Sequence, residues 1–201
     1  MLRTLRADAD ADVPCEGCTA CCTSSQFVHI APDETDALRH IPPELLFPAP
    51  RRPPGHVLLG YDERGRCPML VDGACSIYAH RPRTCRAYDC RIFTATDLPV
   101  DDDAVPAIAE RVAQWRFRTD DARSSARLAA TRAAATYLTE HAAELPRGAV
   151  PPYPPQLAVV ALEVHDLFLE ADASDDASDG ATDAATVVEP PIATVAARLR
   201  T

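Results

Sequence analysis

The apolar positions follow two different rhythms, and the change falls near Arg91. In the first part they come in short β-prone runs broken by turn residues. Gln26-Phe27-Val28-His29-Ile30 and His56-Val57-Leu58-Leu59-Gly60-Tyr61 read as strands, the second ending in a turn at Asp62-Glu63-Arg64-Gly65. Between them, Pro32 to Asp36 starts a short helix whose acids lie in its first turn and whose Arg39-His40 lie in its last, as the helix dipole favours. Residues 41–55 hold Pro42, Pro43, Pro48, Pro50, Pro53 and Pro54, a density read as forbidding regular structure, with Leu45, Leu46 and Phe47 tethering the loop to a core.

Beyond Arg91 the period becomes helical. Asp101-Asp102-Asp103 is expected to cap a helix carrying Val105, Ile108, Ala109, Val112 and Trp115 on one face. A second helix, from Asp121 to about His141, puts Ala126, Ala130, Ala133, Ala134, Tyr137 and Leu138 together. Pro146 and the run Pro151 to Pro155 predict a stiff linker, and Gln156 to Glu170 a third amphipathic helix. Ala171 to Ala185 has the composition of a disordered segment, and Ile192 to Arg200 could close the chain as a short helix. Six arginines from Arg111 to Arg132 read as a solvated face.

Composition narrows the partners. The chain has 201 residues, 47% of them apolar, and a formal net charge of −10. That balance argues against a nucleic-acid partner, because phosphate contacts need a basic surface. No run approaches the ~20 apolar residues that span a bilayer, so no membrane is expected. The sequence does not indicate a protein partner.

All eight cysteines lie in two groups: Cys15, Cys18, Cys21 and Cys22, then Cys67, Cys75, Cys85 and Cys90. A C-x2-C-x2-C run lets neighbouring sulfurs converge on one centre, so these eight are the candidate metal ligands. The side chains of adjacent Cys21 and Cys22 are expected to diverge. Cys67-Pro68 loses one backbone donor just after a ligand, and Val71-Asp72-Gly73-Ala74 is a turn returning Cys75 towards Cys67. Pro82 is expected at the first position of a helical turn bearing Cys85, with Cys90 beyond it. An even cysteine count also admits a disulfide framework. The N-terminus, running from Met1 into Asp8, Asp10 and Asp12 with no apolar signal segment, points instead to the cytoplasm, where clustered cysteines bind metal.

Eight thiolates could build two closed zinc sites. Three cysteines two apart with a remote Cys-Pro also match the opening of a ferredoxin-like pattern, and this favours an iron–sulfur cluster held by Cys15, Cys18, Cys21 and Cys67, which leaves Cys85 and Cys90 outside it if a second site exists. Arg81 and Arg86 are candidate outer-shell groups that would offset thiolate charge, an alternative being a solvated face. His29 and His80 lie near the clusters in sequence but are read as ordinary surface or core groups.

Cys15-x2-Cys18-x2-Cys21-Cys22, followed by Cys67-Pro68-Met69-Leu70, Gly73-x-Cys75-Ser76-Ile77-Tyr78, Arg81-Pro82-x2-Cys85-Arg86 and Cys90, resembles the CxxCxxCC family of YkgJ-type cysteine cluster proteins. The resemblance covers roughly residues 13–92 and implies zinc or iron chelation. A related branch includes flagellin lysine N-methylases, so it also admits methyl transfer. Members commonly carry glycine where this chain has Thr19, which bears on local loop geometry but removes no ligand.

The expected fold is α+β: a small, loop-rich, metal-stapled cysteine module with a C-terminal helical extension. Residues 1–12 form a flexible acidic lead-in, 13–92 the module, 93–170 the helical region and 171–201 a largely disordered acidic tail. The expected function is binding of zinc, iron or an iron–sulfur cluster in a structural or electron-handling role. A cluster-dependent methyltransferase-like or redox catalyst and a zinc-stapled interaction module are the alternatives. The sequence has no Gly-rich cofactor loop and no nucleophile elbow, so enzymatic activity stays open.

Overall fold

A computed structural model describes residues 17–101, 103–119, 121–170 and 186–200. The acidic lead-in, Cys15 and the segment 171–185 lie outside the described residues. The strands are β1 (Val28–Ile30), β2 (Leu46–Pro48), β3 (Val57–Leu59), β4 (Leu70–Val71) and β5 (Ala74–Cys75). The helices are α1 (Thr35–His40), α2 (Arg83–Ala87), α3 (Arg91–Thr96), α4 (Pro106–Gln114), α5 (Ala122–Glu140), α6 (Pro154–Val164) and α7 (Ile192–Arg198). Helices and small antiparallel sheets together make this an α+β protein. The described residues divide into two compact units, one holding 17–90 with 101 and 103–113, the other 91–100 and the described residues from Gln114 onwards.

In the first unit, β3 is the centre of an antiparallel sheet of order β1-β3-β2, with Val28 opposite Leu59 and Ile30 opposite Val57. Here the proline argument needs correction. Residues 41–55 are not structureless: Pro43–Leu45 is a 3-10 turn and Leu46–Pro48 pairs with β3. Pro48 is tolerated because β2 is an edge strand, where a missing N–H costs no ladder bond. Val28, Ile30, Ile41, Leu59, Met69 and Ile77 form the unit's core, and Cys67, Cys75 and Cys85 pack against it. The β4–β5 hairpin turns through Asp72 and Gly73, both at positive φ (49° and 76°), the geometry that two-residue hairpin loops require.

The second unit is helical. Asp121 caps α5, its carboxylate accepting from the Ser124 amide at 2.7 Å, and the helix runs to Glu140 as its pattern predicts. Ala130 and Ala134 on α5 and Ala161 on α6 are fully buried, and small side chains there let the helices approach closely. Phe168, in a 3-10 turn after α6, meets the Tyr137 ring edge-on at 5.4 Å between centroids. Val195 of α7 joins the same core, and Arg198 grips Asp166 with two hydrogen bonds of 3.0 and 2.9 Å.

Three boundaries differ from the sequence reading. Pro154 and Pro155 form the first turn of α6 instead of ending a linker, since proline fits where no N–H is needed. Pro82 stands just before the first residue of α2 with extended ψ (152°), so it caps the turn from outside. Trp115 lies past the end of α4, where the Arg91 guanidinium sits 5.8 Å from its ring centroid.

Candidate metal centre

Cys21 and Cys22 of the first group open a 3-10 turn, Cys21–Thr23, and the second group is spread over loops, β5 and α2. Two backbone bonds bring them together. The Cys67 amide donates to the Cys22 carbonyl at 2.7 Å, and the Ser25 amide to the Gly65 carbonyl at 2.9 Å. The hairpin then returns Cys75, and α2 lays Cys85 across the sheet, where Thr84 donates to the His29 carbonyl at 2.6 Å.

Cys18, Cys21, Cys22, Cys67, Cys75 and Cys85 consequently line one cavity of about 90 Å³. Its other walls include Leu59, Met69, Ile77, Tyr78 and Tyr88. Cys21, Cys22, Cys67 and Cys85 also line a second hollow of about 80 Å³ beside it, with Phe27, Val28 and Tyr88. Adjacent Cys21 and Cys22 therefore both reach the site, and Cys85 stands with Cys18, Cys21 and Cys67 at the same cavity. Cys90 does not line it, although it acts electrostatically, with Cys21, on the Tyr88 hydroxyl. All seven described cysteines are half-buried.

Burial and neighbouring thiols disfavour the thiolate forms of Cys67 and Cys85. Burial, followed by the neighbouring Cys67, Cys22 and Cys75, pushes the Cys85 thiol up to about 12. Burial also raises Cys67, whereas the amides of Met69 and Leu70, directed at its sulfur, pull it down. Those amides belong to the Cys67-Pro68-Met69-Leu70 turn, closed by a Leu70 amide to Cys67 carbonyl bond of 2.9 Å. Amides aimed at a sulfur favour its anionic, ligating form. Tyr88 is raised too, first by burial and then by Cys21, Cys90 and Asp89.

Arg81 is the charged residue of the cavity wall, and its guanidinium lowers Cys85. It is 9% exposed, and its guanidinium lies 3.5 Å from the Tyr78 ring centroid. Arg86 lines a different, polar cavity, which Arg81 also borders, and not the thiol cavity. Tyr88, at both thiol hollows, was not singled out in the sequence; its place two residues before Cys90 was the available signal. His29 instead bonds His56, Nε2 to Nδ1, at 2.9 Å. Thr19 is not among the residues at positive φ; that conformation falls on Gly17, before Cys18 (φ 73°), so the absent glycine at 19 causes no strain.

The donor set fits a thiophilic cation, whose binding exchanges each thiol proton for a bond to the metal. No described helix is long and apolar enough to cross a membrane. No curated protein and no solved structure matches the chain. The match to a known family, described as a putative zinc- or iron-chelating domain, spans the described cysteines together with Cys15. Residues 14–101 of this chain match the CxxCxxCC family.

Proposed function

We propose that the chain binds a single polynuclear metal–thiolate centre, an iron–sulfur cluster, and uses it to handle electrons. The observation that carries this reading is the convergence of six cysteines on one cavity of about 90 Å³. A closed zinc site and an iron–sulfur cluster each take four cysteine sulfurs, so six include a full ligand set for either, and the Cys18-x2-Cys21 spacing with the remote Cys67-Pro68 favours the cluster. The space is also several times the roughly 10–15 Å³ that holds one water. Charge supports the same reading. Six thiolates facing one guanidinium would be an uncompensated buried charge, which a cluster of several cations relieves. Cys67 would be among the ligands, its sulfur steadied by the amides of Met69 and Leu70, and Arg81 would ease the arrival of an electron. When bound, the cluster supplies one-electron chemistry; the chain positions the sulfurs and shields them with Leu59, Met69 and Ile77.

Protein purified without oxygen tests this. It should contain iron and acid-labile sulfide in matching amounts, absorb broadly in the visible, and bleach with dithionite. Colourless protein holding zinc alone would overturn the electron-handling role.

A further inference from the structure

Elsewhere in the first unit, Asp36 and His40 of α1 meet His80, which ends the 3-10 turn Tyr78–His80. One ligand atom from each lies within 4.8 Å of the others. His80 Nδ1 is 2.8 Å from Asp36 Oδ2, and His40 Nδ1 is 3.8 Å from Asp36 Oδ1. His40 Nδ1 is also 2.8 Å from the Asp36 carbonyl, and Arg39 donates to Asp36 Oδ1 at 3.4 Å. We propose that Asp36, His40 and His80 form a second metal site, separate from the thiols, for a divalent transition ion of the zinc, cobalt or nickel kind.

Two imidazoles and a carboxylate select such ions over magnesium or calcium, which prefer oxygen throughout. Ligands 2.0–2.1 Å from an ion stand about 2.9 Å apart at an octahedral right angle and about 3.4 Å apart in a tetrahedron. The Asp36–His80 pair already has the octahedral spacing, so an ion could replace the proton they share. The partners come from segments 44 residues apart. A further contact between those segments, the Arg83 amide to the Glu34 carboxylate, holds them together independently of any ion.

One adjustment is required. The two imidazole rings are stacked, with centroids 3.6 Å apart and planes 6° from parallel. Parallel rings cannot both aim a lone pair at one ion, so one ring must turn. His40 is exposed at the end of its helix and can do so by giving up its bond to the Asp36 carbonyl. A polar cavity of about 280 Å³, lined by Asp36 and His80 with Arg83 and Arg86, opens beside the pair and leaves room for water or an anion in the remaining coordination positions.

The test uses the full chain with its thiol centre already loaded, titrated anaerobically with cobalt(II) alone. One additional equivalent should bind, with weak visible d–d bands and no new sulfur-to-cobalt charge transfer in the near ultraviolet. Asp36→Asn and His80→Gln should each weaken that equivalent by at least the roughly tenfold that even an outer-shell loss costs. Arg39→Gln, which removes a competitor for Asp36, should leave it intact or tighten it. The metal content of the thiol centre, unchanged in every variant, reports correct folding. Absence of an extra equivalent, or its full retention in the Asp36→Asn, His80→Gln double variant, would overturn the proposal.

Discussion

The backbone amide of Cys67 donates to the carbonyl of Cys22 across 2.7 Å, so the two cysteine groups are joined through main chain. The neighbouring Ser25–Gly65 bond makes this a paired joint. A metal that arrives there finds its sulfurs already gathered, which lowers the ordering cost it would otherwise meet.

That joint depends on Gly65. Its φ is +73°, and a Cβ there would overlap Ser25 Oγ. Gly73 has a similar φ of +76° but open space around its Cα. Both alanine variants should lose roughly 1–2 kcal/mol for the left-handed backbone, with Gly65→Ala costing more. Chemical denaturation of the loaded protein checks this; equal losses would show that the Ser25 contact is unimportant.

Cys85 sits at the same cavity as Cys18, Cys67 and Cys75. Cys85→Ser and Cys75→Ser should therefore reduce metal content as severely as Cys18→Ser and Cys67→Ser, by roughly tenfold or more in affinity. Elemental analysis of each variant decides it. Full metal content in Cys85→Ser would restore two separate centres.

Metal uptake should depend on pH. Cys85 is held near 12 and Cys67 is also raised, so both are protonated thiols at neutral pH and metal must displace their protons. Apparent affinity should rise with pH, and protons should be released, as titrations in buffers of different ionisation enthalpy will measure. For the metal-free fold the sign is opposite. A folded pKa raised above the ordinary thiol value of 9.0 contributes stability that is full below pH 9 and is lost as pH climbs towards about 12. The thermal midpoint of metal-free protein should fall over that range; a flat profile would contradict the burial of Cys85.

Phe168 is fully buried against Tyr137 in the helical unit. Phe168→Ala should destabilise that unit by roughly 3–5 kcal/mol, read as a shift in its denaturation midpoint by circular dichroism. A loss below about 1 kcal/mol would mean that the cavity collapses freely.

Legibility in the sequence followed the range of the interactions. α5 was readable because Asp121 and the alanine spacing are local signals. The thiol cavity was legible in part, because Cys18-x2-Cys21 convergence is local. Its partition was not, since the register of Cys67 against Cys22 is fixed by a loop of more than forty residues. β2 was hidden because proline density speaks only of lost donors, and an edge strand can spare them. His80 looked ordinary for the same reason: Asp36 and His40 reach it only through the fold.

X-ray absorption at the metal edge of anaerobically purified protein tests the single-centre account most directly. The account predicts an iron edge with a first shell of sulfur alone and a second iron behind it. A first shell containing nitrogen or oxygen, or a zinc edge with four sulfurs and no neighbouring metal, would contradict it.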